Sequence, residues 1–297
     1  MNPMVPPTIP LPEATAAHRA AFRQLHESGF FVIPNPWDVG TARMLLALGF
    51  KALATTSSGF AFSHGLPDTD WAVPRDLMLQ HIASIVAAVD LPINADFEAG
   101  YAHAPEQVAE NVRLCVETGV AGLSIEDATG DSAKPLYDLP LATERIRAAR
   151  EAVGNSGILL TARAECFLVN CPDPLAESIR RLQAYAEAGA DVLYAPGART
   201  REQIQAIVAA AHPKPINVLV TSSTPMSLSE LADLGVRRVS TGSALARAAW
   251  TGFLKAARGI AHENTMAGLD GITPFDEINN FFRKDLACRA IEEADKT

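Results

Sequence analysis

The chain has 297 residues, of which 48% are apolar, and 25 basic against 34 acidic residues give a formal net charge of −9. This apolar content is sufficient for a large core and excludes a mostly disordered chain. No block of basic residues occurs, so we expect neither a nucleic-acid partner nor a membrane partner. The apolar runs are shorter than the roughly 18–20 residues that a spanning helix needs. The proline-rich start lacks a basic region, so we expect no signal peptide and a cytoplasmic location.

The cysteines indicate neither a disulfide framework nor a zinc site. Four are present in the whole chain, which is too few to staple a protein of this length. Cys166 and Cys171 lie five residues apart, and no second pair has the spacing of a metal finger.

From about Phe30 onward a unit recurs, in which a short apolar run is followed by a polar loop and an amphipathic helix pattern. The runs are typical of strands buried in a parallel sheet. They cover residues 30–34, 51–56, 91–96, 121–126, 157–163, 191–196, 215–220 and 237–242. Eight strands alternating with helices predict an α/β fold, the (β/α)₈ TIM barrel, with residues 1–260 as the catalytic domain. A doubly wound open sheet is the alternative, but no Gly-x-Gly-x-x-Gly turn follows the first run.

Segments at both ends exceed what a barrel requires. A helix pattern over 13–28 precedes the first strand and is expected to plug the barrel floor. The chain beyond residue 252 is longer than an eighth helix needs and contains the apolar stretch PFDEINNFF. We predict that residues 261–297 form a C-terminal helical extension that packs on a partner subunit.

Polar residues lie at the ends of four of the predicted strands or just after them. In a barrel of this type the carboxyl ends of the strands form the active site, so these side chains are expected to meet at one rim. The acids among them repel one another, and a hard divalent cation such as Mg²⁺ relieves that repulsion. The alternative is that they cap helices. Likewise, Arg163 could clamp a substrate carboxylate or pair with Glu165 or another acid. The residues concerned are Ser57, Ser58, Asp96, Glu98, Glu126, Asp127, Arg163 and Glu165.

Several strings resemble the isocitrate lyase/phosphoenolpyruvate mutase superfamily over about residues 20–260. They are FVIPNPWDVGTARMLLALGFKALATTSSG, NADFEAGY, GLSIEDATGD and LTARAECF. The resemblance implies a (β/α)₈ barrel that uses Mg²⁺, with Mn²⁺ as a substitute, on small 2-oxo or 2-hydroxy carboxylates. It also implies an enolpyruvate-like intermediate, and a homodimer or homotetramer in which partner subunits exchange the eighth helix.

The resemblance also implies roles for particular residues. Ser57, Ser58 and Gly59 match the loop that binds the substrate carboxylate, and Asp68 matches the acid on the following loop. The implied catalytic residues are Arg163, Asp68 and Glu126; Asn94 and Arg163 join the loop in substrate binding; the implied metal ligands are Asp96, Glu126 and Asn94. Asn94 stands where the family has an acid, and its amide oxygen brings one negative charge fewer to Mg²⁺.

Two departures from the family pattern concern proton transfer. The lyases carry Lys-Lys-Cys-Gly-His after strand four, whereas this chain has ATGDSAKPLYD, without Cys or His. The mutase uses a His after strand six, where this chain has Tyr194. His64 and His103 lie on loops near the predicted rim and could donate protons or simply be solvated.

We therefore predict a Mg²⁺-dependent carbon–carbon lyase that resembles isocitrate or methylisocitrate lyase, or oxaloacetate decarboxylase. One alternative is a phosphoenolpyruvate or phosphonopyruvate mutase or hydrolase. The other is a non-catalytic relative that binds a ligand.

Overall fold

The computed structural model describes residues 12–69, 71–222 and 226–294. The start of the chain, on which the prediction of no signal peptide depends, lies outside these residues. The chain divides into two compact units, with the division between Ala246 and Arg247. The predicted domain boundary at residue 260 stays a prediction. No helix in the described ranges is long and apolar enough to cross a membrane.

Eight parallel strands form a nearly closed barrel, which confirms the predicted (β/α)₈ fold. They pair in the order β1-β8-β7-β6-β5-β4-β3-β2. At the remaining seam the Ala54 amide donates a hydrogen bond of 3.1 Å to the carbonyl of Pro34. The strands are β1 (Phe31–Ile33), β2 (Leu53–Ala54), β3 (Ile93–Asp96), β4 (Gly122–Glu126), β5 (Leu159–Arg163), β6 (Val192–Tyr194), β7 (Ile216–Leu219) and β8 (Arg238–Ser240).

Helices alternate with the strands. They are α1 (Pro12–Glu27), α2 (Val39–Ala47), α3 (Ser57–Ser63), α4 (Arg75–Ala88), α5 (Pro105–Glu117), α6 (Leu139–Val153), α7 (Pro174–Glu187), α8 (Arg201–Ala211), α9 (Leu228–Asp233), α10 (Ala244–Glu263) and α11 (Phe275–Ala294). Ser57, Ser58 and Gly59, which the resemblance assigns to a loop after the second strand, form the first turn of the short helix α3. Thr56 begins this helix by accepting a hydrogen bond from the Gly59 amide.

Helix α1 closes the floor of the barrel, as predicted. Its Phe22 side chain is completely buried and packs with apolar residues that lie in, or just before, β1, β2, β4 and β5. These residues are Phe31, Ile33, Ala52, Ala54, Ala121 and Leu159. Burial of an aromatic ring against several strands stabilises the fold by about 2–3 kcal/mol and blocks entry from this end.

The division between the units falls within α10, so the second unit contains α10 from Arg247 onward, a short 3₁₀ turn (Ala267–Leu269) and α11. The stretch PFDEINNFF enters the first turns of α11. Large apolar side chains of this unit are exposed, among them Phe253, Ile272 and Phe275. Packing of this extension on a partner subunit is therefore still a prediction.

Candidate active site

A cavity of about 650 Å³ opens at the carboxyl ends of the barrel strands. It brings together most residues that the sequence singled out, namely Ser57, Ser58, Asp68, Asn94, Asp96, Glu126 and Arg163. Gly59 does not line it. A Cβ at Gly59 would lie 2.7 Å from Cγ2 of Thr56 and 3.0 Å from Cβ of Trp37, so this glycine allows close packing behind the cavity.

Arg163 lies at the centre of three carboxylates. Its Nη1 is 2.8 Å from Asp96 Oδ1, its Nη2 is 3.0 Å from Glu126 Oε2, and its Nε is 2.9 Å from Glu165 Oε1. Burial opposes the charge, but these carboxylates raise the pKa of Arg163 well above its usual value. The sequence leaves two roles open for Arg163, a clamp for a substrate carboxylate and an ion pair with neighbouring acids. The structure shows the ion pairs. The substrate role of Arg163 stays a prediction.

Asp96 joins three strand ends through its two oxygens. Oδ1 accepts from Arg163 of β5, and Oδ2 accepts from both the amide and the hydroxyl of Ser57, each at 3.1 Å. Ser57 is in the first turn of α3, where amide groups lack partners within the helix. The end of β3 is thereby fixed to the segment that follows β2 and to the end of β5.

The cavity contains an excess of carboxyl groups. Burial and the nearby Asp96 carboxylate raise the pKa of Asp68. Burial also raises the pKa of Glu98 to about 7, and Glu98 accepts a hydrogen bond of 2.6 Å from the Tyr101 hydroxyl. Among the described residues five acids line the space, and Arg163 contacts three of them. They are Asp68, Asp96, Glu98, Glu126 and Glu165. A further cation in the cavity would be strongly stabilised.

Asp127 turns away from this cluster and connects β4 with α7. Its Oδ1 accepts from the Glu165 amide at 2.8 Å, and its Oδ2 accepts from Arg181 Nη1 at 2.9 Å. The Tyr185 hydroxyl donates to the same oxygen at 2.5 Å. Since Asp127 is buried and fully engaged, it positions the segment that carries Glu165.

Asn94 precedes Asp96 by two residues, so both side chains point to the same side of β3, with Asn94 deeper in the barrel. Its Oδ1 is buried and has no hydrogen-bond partner within the described ranges. It lies against Gly122, where a Cβ would come within 2.8 Å of it. A metal-binding role for Asn94 stays a prediction.

The donor set fits a magnesium ion that is held partly by protein. Within the described parts of the chain, no three His, Cys, Asp or Glu side chains are grouped as a complete metal site. Mg²⁺, however, is usually bound by one or two carboxylates, with waters and substrate oxygens completing its shell. Asp96 and Glu126 lie on neighbouring strands and share one Arg163 guanidinium, so both carboxylates face the same space.

Of the two candidate loop histidines, His103 lines the cavity, whereas His64 packs on Phe60. His103 Nδ1 lies 2.6 Å from the Tyr137 hydroxyl, and Arg145 donates to the carbonyls of Ala102 and His103. None of the cysteines in the described residues lines the cavity. Burial raises the pKa of the Cys166 thiol to about 12, so this group stays protonated.

Sequence reasoning missed the polar residues deeper in the barrel. Asn217, Arg238 and Ser240 also line the cavity. They occupy alternate positions on β7 and β8, and polar residues at period two inside otherwise apolar runs are the signal that marks them.

The chain folds as a barrel with an acidic, arginine-containing pocket at the end where enzymes of this fold hold their active sites. The chain belongs to the phosphoenolpyruvate phosphomutase family, whose sequence pattern matches residues 22–261. This confirms the resemblance to the isocitrate lyase/phosphoenolpyruvate mutase superfamily. Members of the superfamily include oxaloacetate decarboxylase, 2-methylisocitrate lyase and phosphoenolpyruvate phosphomutase.

Three similar proteins illustrate this relationship. A crystal structure from Burkholderia cenocepacia J2315, provisionally described as a lyase/mutase, is 48% identical, covers 91% of this chain and 97% of its own, and has a TM-score of 0.85. An uncharacterised protein of Mycobacterium tuberculosis is 34% identical over 75% of this chain and 82% of its own. Oxaloacetate decarboxylase of Bradyrhizobium is 28% identical over 93% of both chains.

Proposed function

We propose that this protein is a Mg²⁺-dependent lyase that breaks a carbon–carbon bond of a small 2-oxo or 2-hydroxy carboxylate through an enolpyruvate-like intermediate. The observation that carries the proposal is the cluster of Arg163 with Asp96, Glu126 and Glu165 at the mouth of the barrel. This cluster combines a planar carboxylate-binding group with oxygen ligands for a hard cation.

Asp96 and Glu126 would hold the ion, with the Asn94 amide oxygen below them. When bound, Mg²⁺ supplies Lewis-acid stabilisation of negative charge on a substrate oxygen. Arg163 is oriented by Glu165 through Nε and presents its guanidinium to a substrate carboxylate. Ser57 and Ser58 line the same cavity and would orient the carboxylate for reaction.

Decarboxylation of an oxaloacetate-like acid is the form of this chemistry that the pocket favours. Cleavage of the carbon–carbon bond releases CO₂ and leaves the bonding electron pair on the carbon next to the oxo group, which forms an enolate. A single protonation of that enolate completes the reaction. This requires less acid–base machinery than cleavage between two larger fragments. Among the described residues no thiol lines the cavity, and Asp68 beside Ser57 is a carboxyl that can supply a proton. Relatives named oxaloacetate decarboxylase support this form.

The test is Mg²⁺-dependent release of pyruvate from a panel of 2-oxo and 2-hydroxy di- and tricarboxylates. Release together with CO₂ identifies a decarboxylase, whereas release with glyoxylate or succinate identifies a lyase of the isocitrate type. Conversion of phosphonopyruvate instead would favour the mutase alternative, and no turnover of any compound would favour the non-catalytic one.

Two variants test the metal residues directly. We expect Asp96→Ala and Glu126→Gln to remain folded and to lose Mg²⁺-dependent turnover. Glu110→Gln removes an exposed carboxylate of α5 and serves as the matched control with normal activity. Parent-level activity in both site variants would refute the metal assignment. Asn94→Asp restores a charged ligand, and we expect it to bind Mg²⁺ more tightly.

A further inference from the structure

The cavity continues below Arg163 into the interior of the barrel. Barrel interiors of this type are normally filled by branched apolar side chains. Here Ile33, Tyr194 and Leu219 line the cavity at this depth, but most of the lining is small or polar. The small and polar residues are Ala54, Asn94, Ser124, Asn217, Arg238 and Ser240. The interior is therefore built for a polar ligand group as well as for packing.

Arg238 is the charged residue of this interior. It is 3% exposed, and its Nε donates to Asn217 Oδ1 at 2.9 Å. Its Nη2 donates to Thr161 Oγ1 at 3.2 Å across the barrel. Within the described ranges no carboxylate forms an ion pair with it, in contrast to the three that surround Arg163.

The third partner of Arg238 is a neutral histidine. His26 Nδ1 donates to the Phe22 carbonyl at 2.8 Å, so Nε2 is the acceptor for Arg238 Nη1 at 3.2 Å. Burial, followed by the neighbouring Arg238, lowers the pKa of His26 to about 3. Burial also lowers the pKa of Arg238 to about 10, which leaves this side chain charged at neutral pH.

The charge of Arg238 is therefore uncompensated among these neighbours. A guanidinium has five N–H donors, and the three neutral partners engage one each. A buried charge without an opposite charge is costly and is stabilised when an anion arrives. The acids of the cavity are gathered at the rim, so the floor is the positively charged end of the same space.

We propose that Arg238 forms a floor subsite that binds the second carboxylate of a dicarboxylate substrate. This rests on the proposed function only in placing a carboxylate substrate in this cavity. One carboxylate would face Arg163 and the first turn of α3 at Ser57, while the other reaches Arg238. Planar pairing with a carboxylate suits the two remaining donor positions of the guanidinium. A cavity of about 650 Å³ has room for such an extended acid.

Direct binding tests the subsite without requiring turnover. Calorimetry in the presence of Mg²⁺ compares malonate, succinate and glutarate with propionate, butyrate and pentanoate, which have the same carbon counts. We expect the best dicarboxylate to bind at least about tenfold more tightly than its matched monocarboxylate. Arg238→Met should remove that difference and leave monocarboxylate affinity within about twofold of the parent. A folded Arg238→Met protein that retains the difference overturns the proposal.

A second variant covers the case in which Arg238→Met does not fold. Asn217→Asp keeps the side-chain shape and gives Arg238 an internal counter-charge, so the selectivity for dicarboxylates should fall at least about tenfold. Asn155→Asp adds the same charge at an exposed site and should change nothing. Unchanged selectivity in Asn217→Asp contradicts the subsite, as does Arg238-dependent binding of phosphonoacetate without binding of any dicarboxylate.

The two proposals can fail separately. Arg238-dependent selectivity in a protein that turns over no panel compound would support the subsite and refute the reaction. Turnover with equal affinity for both acid series would support the reaction and overturn the subsite.

Discussion

Arg163 contacts Asp96, Glu126 and Glu165, which come from the ends of three consecutive strands and the residues just after them. The strand pattern predicts that these residues share one rim, because parallel strands present their carboxyl ends together. It does not predict which acids the guanidinium engages. That depends on register and side-chain direction, and the structure places all three within 3.0 Å.

Replacement of Arg163 should affect both stability and activity. Arg163→Ala would leave several buried carboxylates without their cation, and we expect a loss of about 3–5 kcal/mol in unfolding free energy. Arg163→Lys keeps the charge but not the planar fork, so kcat/KM should fall at least about tenfold. Chemical denaturation and steady-state kinetics measure the two effects.

Arg180→Ala is the matched control, because Arg180 is exposed and pairs with Glu177 on the same helix. Its loss should cost less than about 1 kcal/mol. An Arg163→Ala protein as stable as Arg180→Ala would show that the central cluster does not hold the strand ends together.

Among the secondary-structure elements, α1 packs against the floor of the barrel through Phe22, and this packing requires room at Gly122. Gly122 begins β4, and its missing side chain lets both Phe22 of α1 and Asn94 of β3 pack against its backbone. The sequence predicts both a helix here and a floor plug. It does not show that one glycine makes room for the plug, since these residues are far apart in the chain.

Gly122→Ala should destabilise the protein. The added Cβ would lie 2.6 Å from Phe22 Cε1 and 3.2 Å from the Leu159 carbonyl oxygen. Overpacking of this kind typically costs about 1–3 kcal/mol. Gly252→Ala in α10 meets nothing within 4 Å and should be neutral or stabilising, by up to about 1 kcal/mol. Equal melting temperatures for the two variants would contradict this account.

Helix α4 contains a buried histidine, His81, whose neutral form is compatible with the folded state. His81 stacks on Phe60 of α3 with ring centroids 3.8 Å apart, and burial lowers its pKa to about 3. The unfolded chain takes up this proton near pH 6.5, before the folded one does. The stability contribution is therefore complete above about pH 6.5 and is lost as pH falls towards 3.

We expect unfolding free energy to fall between pH 7 and pH 4, with about 3 kcal/mol of that fall due to His81. His81→Phe keeps the ring stack and cannot be protonated, so its pH profile should be flatter by this amount. His262→Gln, at an exposed position of α10, should leave the parent profile unchanged. Identical slopes for His81→Phe and the parent would exclude His81 as a source of acid sensitivity.

Across the whole molecule, the barrel buries a large apolar core, whereas the second unit exposes many of its large apolar side chains. Ile272 is 64% exposed and Phe275 is 78% exposed. Other large apolar side chains of this unit are exposed as well, Phe253, Ile260 and Met266 among them, and exposed apolar surface of this extent usually marks a contact surface. We expect the protein to be a homodimer or homotetramer whose contact includes this unit.

Charge substitution tests that assembly. Ile272→Asp and Phe275→Asp should each shift the mass seen by light scattering towards that of a monomer, because a buried carboxylate opposes association. Thr273→Asp adds the same charge at a neighbouring exposed polar position and should keep the parent mass. A monomeric parent, or full assembly in both apolar variants, would contradict the expectation.

Sequence patterns alone predict the eight strands, the helix on the floor, the family and the rim that carries Asp96, Glu126 and Arg163. The elements and the rim follow from local periodicity and from the rule that parallel strands end together, and the family follows from its motifs. The folded structure sets which side chains pair with one another. It turned Asp127 towards Arg181 of α7, and it placed Arg238 of β8 against Thr161 of β5, 77 residues away in the chain. Contacts across a barrel depend on the tilt and stagger of all its strands, which no single segment encodes.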